Sequence, residues 1–100
     1  MSWAKYAKEE LAKGNTTQIR PRGHSMRPKV CDGNLVTLEP VGERKLRKGD
    51  IVLVTVRGRD YLHLIKGVGA DTYQIGNNKG GTNGWVHPRH IHGICVRVES

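Results

Sequence analysis

Phenylalanine is absent from this 100-residue chain, and aromatic residues make up only 5% of it. A core without Phe has to be assembled from Val, Ile and Leu, and the β-branched members of that set favour strands. Cysteine is scarce too, with Cys31 and Cys95 the whole supply. Two thiols are too few for the disulfide framework of a small secreted domain. A free pair fits a reducing compartment, and a single Cys31–Cys95 bridge is also open. No apolar run reaches the length of a membrane span, and the N-terminus has no apolar signal-peptide core, which together predict a cytoplasmic chain. Acidic residues are outnumbered, nine against seventeen Lys and Arg, for a formal charge of +8. Such an excess favours acidic partners or polyanions and says nothing of the fold.

What is present points to one β-rich domain over residues 1–100, with a helix in 1–14 and a β domain over 19–98. One hundred residues support one core and not two, and thirteen glycines suit a turn-rich fold. Ser2 to Lys13 reads as a short helix with Trp3, Tyr6, Ala7 and Leu11 on one docking face, Ser2 as cap and Gly14 as stop. Strands are expected over Thr16 to Pro21, Asn34 to Val41, Ile51 to Val56, Asp60 to Lys66, Thr72 to Ile75, Trp85-Val86 and Ile91 to Val98. Ile51 to Val56 is apolar or β-branched throughout, which predicts a central strand buried on both faces. A tight turn at Gly58-Arg59 joins it to the next strand. Gly67 to Ala70 reads as a break, and Asn77 to Gly84 as an irregular loop. Six or seven short strands predict a mainly β fold: a small barrel-like, strongly bent antiparallel sheet with one N-terminal helix.

One stretch fits neither strand nor helix: Gly23-His24-Ser25-Met26-Arg27-Pro28, followed by Asp32-Gly33. Gly23 permits unusual backbone angles, and Pro28 fixes its own φ and restricts Arg27. Ser25 is therefore expected on a shaped turn that presents its hydroxyl. The ordered set Ser25-Met26-x-Pro28, Asp32-Gly33-x-Leu35-Val36 and Lys48-Gly49-Asp50-Ile51-Val52, then a basic residue in an apolar strand, resembles the signal peptidase I and LexA-like superfamily of serine peptidases (S24/S26 type). The resemblance runs from about Ile19 to Val98 and implies a largely β fold, a serine nucleophile and no cofactor. It implies a base on the strand that follows the Gly-Asp-Ile-Val strand across a hairpin. The matching position is His63, as in the archaeal and endoplasmic-reticulum members. Alternation along a strand puts residues 63 and 66 on opposite sides, so only one can face Ser25. His63 lies between Leu62 and Leu64, where a neutral, proton-accepting imidazole is tolerated, whereas Lys66 at the strand end is poorly placed for the pKa drop a lysine base needs.

The resemblance further implies the Ser25 amide in an oxyanion hole, with His24 or Gly23 as helpers, and Met26 and Pro28 as shapers of the turn and substrate groove. Asp32 and Asp50 read as turn formers. The family's late Gly-Asp-Asn reads Gly76-Asn77-Asn78 here, so Asn77 stands where an orienting acid is expected, with Asp60 and Asp71 as other orienters. The function expected is hydrolysis of a peptide bond in a protein or peptide, acidic or extended, through an acyl-enzyme. The alternative is a catalytically silent module of the same fold that binds a protein or nucleic acid. For nucleic acid, Arg20, Arg22, Arg27, Lys29 and Lys48 gather loosely around the serine turn, and Trp85 and Tyr73 offer stacking faces, but no recognised motif is present. His87, His90, His92 and Cys95 have metal-ligand chemistry in a spacing that matches no established finger, and no metal is expected.

Overall fold

The computed structural model describes residues 3–23 and 26–100. One helix, α1 (Lys5–Ala12), precedes seven strands: β1 (Thr17–Ile19), β2 (Leu35–Glu39), β3 (Ile51–Val56), β4 (Arg59–Val68), β5 (Tyr73–Gly76), β6 (Thr82–Val86) and β7 (Ile91–Glu99). They form one antiparallel sheet in the order β1-β2-β7-β3-β4-β5-β6. The sheet is open, with β1 and β6 at its edges. It curls enough to bring β6 back into contact with β3. The expected bent, mainly β architecture is therefore what the chain forms. The last strand, expected to close the sheet, instead lies inside it, between β2 and β3.

The apolar content of β3 explains its central place. Leu53 packs on one side with Val36, Leu38, Leu62 and Leu64, under Ala4, Ala7 and Leu11 of the helical segment. Val52, Val54 and Val56 pack on the other side with Ile65, Ile75, Val86 and Ile91. A residue buried from both directions has no room for a polar side chain, so an unbroken apolar run is what this position demands. The β3–β4 hairpin turns at Arg57-Gly58, one residue earlier than expected, and pairs Val56 with Arg59. Both turn residues have positive φ, 51° and 81°, as a two-residue hairpin of right-handed twist requires.

Three further expectations are corrected. The helix docks through Ala4, Ala7 and Leu11, while Trp3 and Tyr6 are exposed. Once the helix begins at Lys5, the i, i+3, i+7 stripe runs through the alanines, whose small side chains let it approach closely. The landing point is Gly93: a Cβ there would stand 2.7 Å from Leu11 Cδ1 and 2.9 Å from the Glu39 carbonyl. Strand β4 continues through Gly67 to Val68, passing Gly67 by a register shift between Ile65 and Gly67. The stretch 82–84 is strand and not loop, because β6 pairs with β5 from Thr82 onward. Gly14, with φ +87°, ends the helix region as expected. Ser2, the expected cap, lies outside the described residues.

Candidate active site

His63 sits in the middle of β4, directly opposite Val52. Its relative exposure is 7%. Tyr61, two residues earlier and so on the same side of the strand, stacks on the imidazole with ring centroids 4.7 Å apart and planes 22° off parallel. On the other side of the ring system, Nδ1 lies 3.0 Å from Asn83 Oδ1 of β6. That contact exists because the sheet curls, since the two residues are twenty apart in sequence. A carboxamide oxygen can only accept, so Nδ1 carries the hydrogen and donates it, and the lone pair of the neutral ring is on Nε2. Burial pushes the His63 pKa below its ordinary value of 6.5, and the Asn83 bond offsets part of that drop. The imidazole is therefore neutral at physiological pH, the form a general base needs.

His63 lines a cleft of about 330 Å³. Its lining comes from β4, Asp60 to His63, from the segment Arg20 to Gly23, and from Met26, Val30, Cys31 and Trp3. Gly23 and Met26, the described residues flanking positions 24 and 25, thus line the same cleft as His63. His24 and Ser25 themselves lie outside the described residues. The flanks are firmly braced. Gly23 has φ +107° and donates its N–H to Asp32 Oδ1 at 2.8 Å. Met26 is buried in the helix-side core, and its carbonyl accepts from Val30 N at 3.0 Å. The Arg27–Pro28 peptide is cis. Met26 is among the residues that line the cleft, whereas Pro28 is exposed and is not among them. Asp32 and Asp50 are turn formers: Asp50 Oδ2 accepts from Arg47 N at 2.8 Å.

The residue at His63 Nδ1 is not one the sequence singled out. Asn77 uses its Oδ1 to close its own loop, accepting from Lys79 N at 2.8 Å and Gly81 N at 2.9 Å. Asp60 accepts from Lys8 Nζ and from Thr55 Oγ1, at 3.1 and 2.6 Å to Oδ1. Asn83 was missed because it lies in a Gly/Asn-rich stretch read as loop. Nothing local marks the strand there, since β6 exists only by pairing with β5. Lys66, the rival base, runs alongside Gly76, where a Cβ would stand 2.9 Å from its Cγ, and it does not line the cleft.

The histidine-rich C-terminal third does not converge. His92 is the extra residue of a bulge in β7, where Leu53 pairs with Gly93 and Val54 with Ile91. Its Nε2 is 2.7 Å from Thr55 Oγ1. The Cys95 thiol points at the Arg97 carbonyl at 3.7 Å, and burial raises its pKa. The His87 and His90 rings stand 6.3 Å apart beside the single 3-10 turn Pro88–His90. Among the described residues no three His, Cys, Asp or Glu side chains gather in a way that holds a metal. Cys31 and Cys95 are free thiols, and no described helix is long and apolar enough to cross a membrane.

A buried histidine of a curled, mainly β sheet and the described residues flanking positions 24 and 25 thus line one cleft. A model described as Peptidase S24-like matches residues 3–79, and the chain belongs to that family. The matched span takes in the helix, the serine turn and His63 and ends before β6, so Asn83 falls beyond it. None of the curated proteins matches the chain.

Proposed function

We propose that this chain is a serine peptidase in which Ser25 is the nucleophile and His63 the general base. In this reading Ser25 Oγ attacks the scissile carbonyl carbon as its proton passes to His63 Nε2. The tetrahedral oxyanion is stabilised by backbone N–H groups, the Ser25 amide among them. Collapse breaks the C–N bond, His63 returns the proton to the leaving amine, and water then hydrolyses the acyl-enzyme by the same route in reverse. Asn83 is the positioning residue, holding the tautomer in which Nε2 is the proton acceptor. The observation that carries the reading is the buried, neutral His63 in a cleft that is also lined by the residues flanking positions 24 and 25.

One feature favours a second reading, a binding module that has lost catalysis. The group on His63 Nδ1 is a neutral amide, which orients an imidazole but does not stabilise an imidazolium by charge. The two readings separate on labelling by a serine-reactive acylating probe, followed by intact mass. A peptidase gains one adduct that Ser25→Ala and His63→Ala both abolish; a silent module gains none, or one indifferent to both changes.

A further inference from the structure

Charge is distributed unevenly around the cleft. Arg20 and Arg22 line it, both exposed. Of the five N–H donors of Arg20, one goes to the Gly33 carbonyl at 2.9 Å, and that bond holds the side chain beside the cleft. The ion pairs among the described residues engage Lys8, Lys13, Arg44 and Arg97, and neither cleft arginine. Asp60, the one carboxylate lining the cleft, is matched by Lys8 at 2.9 Å. Asp32, the next nearest in sequence, is not a lining residue and accepts from Gly23 N. The described lining therefore carries two guanidinium groups that form no ion pair among the described residues. Alongside them are apolar surfaces: Met26, Val30, Leu62 and the ring of Trp3.

We infer that the cleft selects peptide segments bearing Asp or Glu, whose side-chain carboxylates are read by Arg20 and Arg22 while the neighbouring residues fill the apolar part. The inference rests on the proposed peptidase site and names its substrate class. Guanidinium forks match carboxylates in a bidentate geometry and are desolvated at lower cost than ammonium groups, which suits them to a half-enclosed cleft. A peptide is favoured over a nucleic acid because a cleft of about 330 Å³ takes a few side chains and not a backbone of regularly spaced phosphates. The chain's membership of a peptidase family points the same way.

The test is binding of dye-labelled decapeptides, acetylated and amidated at the ends so that side chains hold the only carboxylates, to the full chain carrying Ser25→Ala. An Asp-containing peptide is expected to bind about tenfold more tightly than its Asn counterpart. Arg22→Gln removes that preference. Arg22→Glu, which no described ion pair opposes, turns it toward a Lys-containing peptide. Lys45→Gln, an equal loss of charge at an exposed position that does not line the cleft, leaves the preference intact. An equal drop in Lys45→Gln and Arg22→Gln would overturn the inference in favour of general attraction to a basic protein. An oligothymidylate that binds more tightly than the acidic peptide, with the same dependence on Arg22, would overturn it in favour of nucleic acid. The peptidase reading fails separately, by absence of the acyl adduct in the wild-type chain. Adduct formation with no acidic preference would leave that reading standing and sink this one.

Discussion

His63 is buried and His92 half-buried; both are hydrogen-bonded to a side chain, and both hold a pKa below the ordinary 6.5. They differ in what surrounds the ring. His63 lines a cleft and gives its Nδ1 hydrogen to Asn83, which leaves Nε2 as an acceptor. His92 spends Nε2 on Thr55 Oγ1, and that hydroxyl donates onward to Asp60, itself held by Lys8. Because the Thr55 proton goes to an acceptor-only carboxylate, His92 must donate to Thr55 and cannot take a proton from it. A lowered pKa makes an imidazole neutral, but only access and the right tautomer make it a base. The closed chain His92–Thr55–Asp60–Lys8 does a different job, tying helix α1 to the sheet through polar contacts.

The largest expected contrast is between the two alanine variants. His63→Ala should cut acylation or hydrolysis by about a thousandfold or more, while His92→Ala leaves the rate near wild type and lowers the melting temperature; rates and calorimetry on both variants check this. Next comes Asn83. Asn83→Ala should slow acylation by about a hundredfold by freeing the ring to choose the wrong tautomer. Asn83→Asp should raise the His63 pKa, because a carboxylate favours the protonated imidazole, and so move the acid limb of the pH–rate profile upward.

In the wild type that limb should lie below pH 6.5, since burial depresses the His63 pKa. The same shift makes stability pH-dependent. Between the folded and unfolded pKa values the unfolded chain binds more protons, so the contribution of His63 and His92 is fully present above about pH 6.5 and is lost as pH falls toward their folded values. Urea midpoints measured across that window test the sign. Two smaller effects probe the helix-side anchor. Gly93→Ala should cost about 1–3 kcal/mol by pushing α1 off its landing point. Thr55→Val should cost about 1–2 kcal/mol by removing the hydrogen bonds that link His92 Nε2 to Asp60, with the acylation rate unchanged.

The reach of the sequence varies from element to element. Ile51 to Val56 was legible because six consecutive apolar or β-branched residues leave few alternatives to a central strand. The bases of the serine turn, Gly23 and Asp32, were legible as turn chemistry and do form a turn contact. The helix face was half legible: Ala7 and Leu11 dock, but Trp3 and Tyr6 were placed with them because hydrophobicity alone does not reveal that the sheet offers a glycine suited to alanines. Asn83 was not legible at all. Its contact with His63 depends on a strand defined only by pairing with β5, and on a partner twenty residues away. The polar links of Asp60 to Lys8 and Thr55 were equally hidden, since they span elements that nothing local connects.

By itself the sequence determined the strand-forming core without Phe, the turn chemistry of Gly23 and Asp32, and the apolar setting of His63 between Leu62 and Leu64, because each rests on side-chain chemistry or on the local order of residues. The tertiary structure decided which group hydrogen-bonds His63, which histidine is tied to Thr55, and that Arg20 and Arg22 line the same cleft as His63. Those outcomes depend on distances between elements far apart in the chain, which are set by sheet curvature and by the docking of the helix on Gly93, and no local pattern of residues encodes either.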